Sequence, residues 1–324
     1  MAILTLEAAA RNSDLVLRPY PSRRFLSQEI TMASVPTINL NDGHKMPVLG
    51  LGTAGSNYGQ SDMDKLRQAI NWAVEAGYRH IDTAAIYYNE EQIGQGIADV
   101  IGNGIVKRED LFVTTKLWND KHARDQVVPA LRESLRKLGL DYVDLYLIHF
   151  PTAEKADGSP DNIDYLDTWK GMEEAKKLGL AKSIGVSNFD DKQIDRLIAN
   201  SNIRPAVNQV EVSPTNTQKQ LVSHCQQLGI AIMAYSPFGF LVNRKTSDSP
   251  VSINYAPLEG IAKKYNKTNT QIVLRYLIER GLVPIPKSTN RERICENINV
   301  FDFKLTDDEI EVMDNYNLNK SVFP

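Results

Sequence analysis

Cysteine is scarce in this chain of 324 residues, and its scarcity limits the kinds of site that the sequence can hold. Cys225 and Cys295 lie far apart, so they form neither the closely spaced pairs of a zinc site nor a disulfide framework. We therefore expect no metal centre and a reducing compartment, the cytoplasm. A mitochondrial or secreted location, reached through the N-terminal segment, is the alternative.

The sequence also lacks an excess of basic residues and any long apolar run. Its 37 lysine and arginine residues face 40 aspartate and glutamate residues, which gives a net charge of -3. A nucleic-acid-binding protein normally shows a basic surplus, and a membrane-spanning helix needs roughly 20 consecutive apolar residues. We therefore expect neither a nucleic-acid partner nor a membrane partner, and nothing in the sequence demands more than a monomer.

The first 31 residues differ in composition from the rest of the chain. They contain four arginines, but also three acidic residues, which are uncommon in a mitochondrial presequence, and they lack a secretory apolar core. Met32 is followed by ASVPTINLNDG, which suits the start of a folded domain. We predict a flexible extension over residues 1–31 and a single folded domain over residues 32–324.

Beyond that segment, short apolar runs alternate with stretches whose apolar residues recur at helical spacing. Asp42-Gly43 lies between two extended runs and predicts a β-hairpin. Eight apolar runs follow from Val48, each succeeded by a helical pattern, and Gly77 is expected to end the first helix. Continuously apolar strands are typical of parallel sheets that are covered on both faces. The pattern predicts an α/β fold: a (β/α)8 TIM barrel with an N-terminal β-hairpin and a short C-terminal tail.

An open, doubly wound sheet is the competing architecture. Such a sheet usually places a G-x-G-x-x-G turn between its first strand and its first helix. The stretch GLGTAGSNYG, from Gly50 to Gly59, is rich in glycine but does not lead directly into a helical pattern. The barrel is therefore the preferred prediction.

Polar residues are concentrated at the ends of the predicted strands, where a (β/α)8 barrel carries its reacting groups. Asp82 and Tyr87 follow the second strand, Lys116 and Trp118 end the third, and His149 ends the fourth. Each residue alone is better explained as a helix cap, a surface charge or a packing residue. Together they place an acid, a phenol, an ammonium and an imidazole on one face, which indicates a catalytic site.

These four groups suit the protonation of an oxygen atom while hydride reaches the adjoining carbon. A phenol has a pKa of about 10, and a nearby ammonium group is expected to lower it. The lysine needs a buried acidic partner, because an unpaired buried charge is costly. A neutral histidine can hold and orient a carbonyl oxygen through a hydrogen bond.

The chain resembles the aldo-keto reductases, aldose and aldehyde reductases among them, from Thr37 to about Asn317. The motifs GYRHIDTAAIYYNEEQIG, LFVTTKLWN, LGLDYVDLYLIHFP, GVSNF, VNQVEVSP, AYSPFG and IPKSTNRERICENI appear in that family's order. The resemblance implies an NADPH-dependent reductase of aldehydes and ketones with the catalytic residues Asp82, Tyr87, Lys116 and His149. Tyr87 would be the general acid, Lys116 with Asp82 would tune it, and His149 would position the carbonyl oxygen.

The same resemblance assigns the nicotinamide half of a cofactor site. Ser187, Asn188 and Gln209 would hold the carboxamide, and Tyr235 would stack on the ring. Other contacts with the cofactor are expected from Gly52, Thr53, Asp82 and Ser236.

The phosphate and adenine end of the cofactor is assigned to residues near the last strand. Lys287, Ser288 and Arg293 would meet the 2′-phosphate, which favours NADPH over NADH, because charge-assisted bonds to a phosphate are strong. Glu296 and Asn297 would hold the adenine. The loop SPFGFLVNRK lacks an aspartate that folds this loop over the cofactor in some relatives, so faster cofactor release is expected.

The implied substrate pocket is formed by Tyr87, Trp118, His149 and Phe150. Two residues depart from the aldose-reductase pattern: Phe150 and Ala54 stand where tryptophans are expected. Both changes widen the pocket, and the tail after the helix LTDDEIEVMDNYN is short. We expect room for a bulky ketone, including a steroid-like one such as the 3-dehydroecdysone reduced by insect members.

Two other functions stay open, because a fold alone does not fix a function. One is a non-catalytic, NADPH-binding regulatory barrel, against which the complete catalytic set argues. The other is a Schiff-base aldolase with Lys116 as its nucleophile, which would leave the Lys287, Ser288 and Arg293 cluster unexplained.

Overall fold

The structure, a computed structural model, describes residues 35–55, 60–241 and 253–322, without the side chains of residues 60–62. The predicted extension over residues 1–31 lies outside the described part, as do residues 242–252, which include the end of the SPFGFLVNRK segment predicted to be a loop. The described residues belong to one compact unit. The domain boundary at residue 32 stays a prediction.

A two-stranded antiparallel hairpin opens the described chain. Strand β1 is Thr37–Asn39 and strand β2 is Lys45–Pro47, and Gly43 between them has a φ of 88°, which glycine adopts without steric cost. Leu40 and Met46 belong to the apolar cluster inside the barrel. The predicted hairpin is confirmed, and its apolar side chains help to fill the barrel interior.

Eight parallel strands form the central sheet, and each pairs with the next strand along the chain. Nearly all their residues are buried, as the continuous apolar runs predicted. The strands are β3 (Leu51–Gly52), β4 (His80–Asp82), β5 (Phe112–Leu117), β6 (Val143–Ile148), β7 (Ala181–Ser187), β8 (Val207–Glu211), β9 (Ala231–Tyr235) and β10 (Val283–Pro284).

The first and last of these strands meet, and this contact closes the sheet into a barrel. The amide nitrogens of Gly50 and Gly52 donate to the carbonyl oxygens of Pro284 and Pro286, each over 3.1 Å. Gly52 also forms a parallel bridge with Lys287. The predicted (β/α)8 barrel is therefore confirmed, and an open doubly wound sheet does not form.

Helices cover the outside of the barrel. Most follow the strand order, but α7 was not predicted; it precedes α8 in the segment between β9 and β10. The helices are α1 (Gln60–Glu75), α2 (Glu90–Gly102), α3 (Arg124–Leu138), α4 (Tyr165–Lys177), α5 (Asp191–Ala199), α6 (Lys219–Gln227), α7 (Ala256–Tyr265), α8 (Asn269–Glu279), α9 (Arg291–Ile298) and α10 (Asp307–Asp314).

The principal apolar core lies between the sheet and these helices, where Tyr78, Tyr146, Trp169 and Tyr276 are its largest side chains. Gly77 follows α1 with a φ of 108°, in agreement with its predicted place at the helix end. Within the described ranges, no helix has the length and apolar character that a membrane span requires.

Candidate active site

The four predicted catalytic side chains meet at the carboxyl ends of adjacent strands. Asp82 is the last residue of β4, Lys116 is the next-to-last residue of β5, and His149 directly follows β6. Tyr87 ends a short 3-10 turn, Ala85–Tyr87, in the connection from β4 to α2. Because β4, β5 and β6 are neighbours in the sheet, one edge of the barrel receives all four groups.

The connection that carries Tyr87 is held by a buried asparagine. Asn89 Nδ2 donates to the carbonyl oxygen of Thr53 at 3.0 Å, and Thr83 Oγ1 donates to Asn89 Oδ1 at 2.8 Å. Asn89 is completely buried, so these bonds are shielded from water. The phenol is thus presented by an anchored turn rather than by a free loop.

Lys116 uses all three of its ammonium hydrogens inside the protein. Its Nζ donates to Asp82 Oδ1 at 2.7 Å, to the carbonyl oxygen of Thr83 at 3.0 Å and to the Tyr87 hydroxyl oxygen at 3.3 Å. Its side chain is fully buried and that of Asp82 is nearly so. The acidic partner that the sequence required for this lysine is therefore present.

The second oxygen of Asp82 has a partner from the far side of the barrel. Gln209 Nε2 donates to Asp82 Oδ2 at 2.7 Å. The role predicted for Gln209 from the sequence was a contact with the cofactor only. In the structure, Gln209 and Lys116 each donate a hydrogen bond to one carboxylate oxygen of Asp82.

The acid–base properties of the trio follow from burial and mutual charge. Burial lowers the pKa of Lys116, but Asp82 and Tyr87 outweigh that effect, so the pKa is raised and the ammonium stays charged. Burial raises the pKa of Asp82, and the bonds from Lys116 and Gln209 oppose this only in part. Burial also raises the pKa of Tyr87. Lys116 lowers the pKa of Tyr87, as predicted, but burial has the larger effect, so the pKa is raised overall.

His149 is held as a neutral imidazole. Burial and the charge of Lys116 bring the pKa of His149 well below its usual value. Its Nδ1 atom is buried and, among the described residues, has no hydrogen-bond partner. A neutral ring carries one N–H donor, which can bind a carbonyl oxygen within the cavity.

Aromatic rings surround His149. The ring of Phe150 stacks on it with centroids 5.2 Å apart, and the rings of Trp118 and Tyr87 meet it edge-on at 5.2 Å and 5.7 Å. Trp118 also meets Phe150 edge-on at 6.0 Å. The four residues predicted to form the substrate pocket therefore make one continuous aromatic cluster.

Amide and hydroxyl groups form the neighbouring wall. Asn188 Nδ2 donates to the carbonyl oxygen of His149 at 2.9 Å, and Tyr235 OH donates to Asn188 Oδ1 at 2.9 Å. Ser187 Oγ donates to the carbonyl oxygen of Gln209 at 2.8 Å. Asn188 adopts the left-handed conformation, with a φ of 62°, which asparagine tolerates better than most residues. The predicted nicotinamide contacts thus belong to one bonded network.

A cavity of about 890 Å³ opens between these walls. Most of the predicted site residues line it: Gly52, Asp82, Tyr87, His149, Phe150, Ser187, Asn188, Gln209, Tyr235, Ser236 and Lys287. Two others lie directly behind the wall. Lys116 reaches Tyr87 from the interior, and Thr53 Oγ1 donates to the carbonyl oxygen of Asp82 at 2.9 Å.

The residues predicted to bind phosphate and adenine do not line this cavity, apart from Lys287. Ser288 precedes α9, and its Oγ accepts from the Asn290 amide at 3.2 Å. Arg293 is exposed in the first turn of α9, Glu296 accepts a 2.7 Å bond from Thr268, and Asn297 is buried. Ser288 thus lies before α9, and Arg293, Glu296 and Asn297 lie on α9, the helix that follows β10.

Several cavity residues have no role predicted from the sequence. Glu211, Phe238, Asn319 and Ser321 all line the cavity. Glu211 is one of the polar residues that the sequence places at the end of the sixth barrel strand, and side-chain alternation along β8 puts it on the same face as Gln209. Asn319 and Ser321 come from the chain's C-terminal tail, and no local pattern indicates where such a tail folds back.

The (β/α)8 barrel and the acid–base side chains at its strand ends are together typical of an oxidoreductase. The Aldo/keto reductase family pattern matches residues 48–317, and the chain belongs to this family. It is 63% identical over 289 residues to aldo-keto reductase AKR2E4 of Bombyx mori, across 89% of this chain and 94% of that protein. It is 44% identical over 295 residues to aldo-keto reductase family 1 member A1 of Gallus gallus, across 87% and 89% of the two chains.

Solved structures agree with these sequence relationships. The crystal structure of Bombyx mori AKR2E4 in complex with NADP matches this chain with a TM-score of 0.87 and 62% identity, over 90% of this chain and 95% of that one. Aldo-keto reductase AKR2E5 complexed with NADPH matches with a TM-score of 0.84 and 44% identity, over 89% of each chain. The predicted family, fold and enzyme class are confirmed.

Proposed function

We propose that this chain reduces aldehydes and ketones to alcohols with NADPH. The observation that carries the proposal is the Tyr87 hydroxyl, which lies in the cavity at 3.3 Å from the Lys116 ammonium and beside the neutral ring of His149. A protonated phenol, a fixed positive charge and a neutral hydrogen-bond donor are the groups that carbonyl protonation requires.

The cavity suits the nicotinamide end of NADPH. Tyr235 offers an aromatic face, and the oxygens of Ser187 and Gln209 provide acceptors for a carboxamide amine. Lys287 lies exposed at the cavity edge, and Arg293 is exposed at the start of α9, so both can meet a phosphate group. AKR2E4 and AKR2E5 are solved with NADP and NADPH. These features support NADPH as the cofactor.

Each catalytic residue has a defined task in such a reaction. Bound NADPH supplies the hydride to the carbonyl carbon. Tyr87 gives its hydroxyl proton to the carbonyl oxygen, and the Lys116 ammonium stabilises the phenolate that remains. Asp82 keeps Lys116 charged in the barrel interior, and the neutral His149 ring orients the carbonyl oxygen toward Tyr87.

The substrate is proposed to be a bulky ketone, steroid-like molecules such as 3-dehydroecdysone included. Ala54 lines the cavity with a methyl group, and Phe150 contributes a ring that lacks a polar N–H. These features support a wide and apolar pocket.

The structure argues against the Schiff-base alternative. A nucleophilic amine must be neutral and must reach the substrate. Lys116 is fully buried, donates three hydrogen bonds and has a raised pKa. The non-catalytic alternative is disfavoured, because the chain belongs to the aldo/keto reductase family and holds the four candidate catalytic side chains together.

We also propose that the enzyme works as a monomer in the cytoplasm. The chain's two cysteines are both free thiols, with Cys225 buried on α6 and Cys295 partly exposed on α9, and free thiols persist in a reducing compartment. Light scattering on the purified chain and fractionation of expressing cells would test the two parts separately.

A carbonyl panel tests the proposed reaction. The purified chain is mixed with NADPH and an aromatic aldehyde, a short aliphatic aldehyde, a sugar or 3-dehydroecdysone, and NADPH consumption is followed. We expect turnover of the aldehydes and of the bulky ketone. Tight NADPH binding without turnover of any carbonyl would favour the regulatory barrel instead.

A further inference from the structure

The last described residues return to the mouth of the cavity. We call residues 317–322 the tail. The Leu318 amide donates to the carbonyl oxygen of Thr215 at 2.9 Å, and Asn319 then turns the chain with a φ of 50°. Asn319 and Ser321 line the cavity. The tail is therefore part of the site, although it follows the last helix of the barrel.

The last residues of the tail donate hydrogen bonds to a buried carboxylate, that of Glu211. Ser321 Oγ donates to Glu211 Oε2 at 2.6 Å, and the Val322 amide donates to Glu211 Oε1 at 2.8 Å. Glu211 itself is only 3% exposed. Hydrogen bonds to a charged acceptor are roughly twice as strong as neutral ones. Each carboxylate oxygen of Glu211 thus accepts a hydrogen bond from one group of the tail.

Glu211 is well placed to hold the tail rigidly. It is the last residue of β8, two positions after Gln209, and it lies opposite Tyr235 of β9 in the sheet register. Gln218 Nε2 donates to its carbonyl oxygen, so the loop after β8 is tied to the same residue. The tail is thereby attached to the strand that carries a contact of the catalytic Asp82.

We propose that Glu211 determines substrate selectivity, because it positions the tail as the outer wall of the cavity. This inference rests on the proposed function. A small aldehyde needs only Tyr87 and His149 at the inner end of the cavity. A bulky ketone extends toward the mouth and packs against Asn319 and Ser321, so its binding depends on the position of the tail.

The first experiment separates small from large substrates. Ser321→Ala removes one bond to the carboxylate, and Glu211→Gln removes its charge. We expect each variant to lower kcat/KM for a steroid-like ketone about tenfold or more, the worth of one hydrogen bond to a charged group, and to leave that for a small aldehyde within about twofold. Ser321→Thr, which keeps the hydroxyl, should restore the ketone activity. Lys320→Ala is the matched tail control and should change neither value.

The second experiment follows the tail without any substrate. Hydrogen exchange at the Val322 amide should be about tenfold faster in Ser321→Ala and Glu211→Gln than in the wild type, and unchanged in Lys320→Ala. Because Ser321 is exposed, its replacement keeps the test valid even if Glu211→Gln folds poorly.

The outcomes distinguish the two proposals. Equal effects on both substrates, or unchanged exchange at Val322, would overturn the role of Glu211 while the reductase activity stands. A wild-type chain that reduces no carbonyl would overturn the proposed function, and the selectivity inference would fall with it.

Discussion

At the scale of single residues, Lys116 connects the side chains of the candidate catalytic site. One ammonium group binds the carboxylate of Asp82, the backbone beyond it and the oxygen of Tyr87, all without contact with solvent. A buried ion pair costs desolvation, and it is retained where each charge is fully hydrogen-bonded. The ion pair therefore holds the Lys116 ammonium in place and keeps it charged beside the phenol of Tyr87.

Replacement of Tyr87 by phenylalanine tests the proton donor. Tyr87→Phe should lower kcat for carbonyl reduction by about 10²- to 10⁴-fold, the usual worth of a general acid, because the ring stays and only the hydroxyl is lost. NADPH affinity, measured by fluorescence titration, should stay within about twofold. Tyr88→Phe is the matched control, since the adjacent Tyr88 is 76% exposed. A parallel loss of NADPH affinity would mean that Tyr87 is structural.

Replacement of Lys287 tests the discrimination between the two nicotinamide cofactors. Lys287→Met should weaken NADPH binding by about tenfold or more and NADH binding by less than about twofold, because only NADPH carries the 2′-phosphate. Titration calorimetry with each cofactor gives both constants. Lys170→Met on α4 removes one surface charge elsewhere and should change neither. Equal losses for both cofactors would contradict the phosphate assignment.

The grouping of the candidate catalytic residues was predictable from the sequence, but some of their contacts were not. Asp82, Lys116 and His149 were predicted to lie together because strand ends carry the chemistry in a barrel. The bond from Gln209 to Asp82 joins residues that are 127 positions apart. Such a contact depends on which strands face each other across the barrel, and no local pattern specifies that.

At the scale of secondary-structure elements, α2 shows how closely the outer helices pack. A Cβ at Gly94 of this helix would lie 2.4 Å from the carbonyl oxygen of Leu138, the last residue of α3. The atom in the way belongs to the backbone, so it cannot be moved by a change of rotamer. Gly94 is therefore required by the distance between two helices.

Two substitutions in α2 test this contact. Gly94→Ala should lower the free energy of unfolding by about 2–3 kcal/mol, since the added methyl group overpacks the α2–α3 interface. Gly102→Ala, in the last position of the same helix, meets nothing within 4 Å and should leave stability unchanged or raise it by up to about 1 kcal/mol. Urea titrations give both values. Similar effects of the two changes would contradict the packing argument.

The elements that were predicted best are those with an uninterrupted pattern. The eight strands are short apolar runs between helical stretches, and parallel strands buried on both faces need such runs. Helix α7 was missed because it contains Pro257 and Gly260, which are typical of loops. Its Pro lies in the first turn, where a proline is compatible with a helix.

At the scale of the whole molecule, buried histidines link stability to pH. Burial lowers the pKa of His80 to about 4, and burial also lowers the pKa of His122 to about 4. In the unfolded chain a histidine takes up a proton near pH 6.5, so between about pH 6.5 and pH 4 the unfolded state binds more protons. Stability therefore rises with pH across this window and is lost as the pH falls through it.

The size of this effect can be measured with one variant. Each of the two histidines should destabilise the fold by up to about 3 kcal/mol as the pH falls from 7 to 4. Neither ring nitrogen of His122 has a hydrogen-bond partner among the described residues. The variant His122→Phe should therefore fold without the loss of a hydrogen bond. Urea midpoints should then depend less steeply on pH than in the wild type. An identical slope would contradict the neutral state of His122.

The unequal exposure of the two cysteines gives the molecule a natural labelling position. Cys225 is inaccessible, and burial raises the pKa of its thiol to about 11, so it is a poor nucleophile at neutral pH. Cys295 is partly exposed on α9, between Arg293 and Glu296. A maleimide dye should therefore attach to the native protein at one position, next to the residues assigned to the adenine, and its emission can report cofactor arrival without any engineered residue.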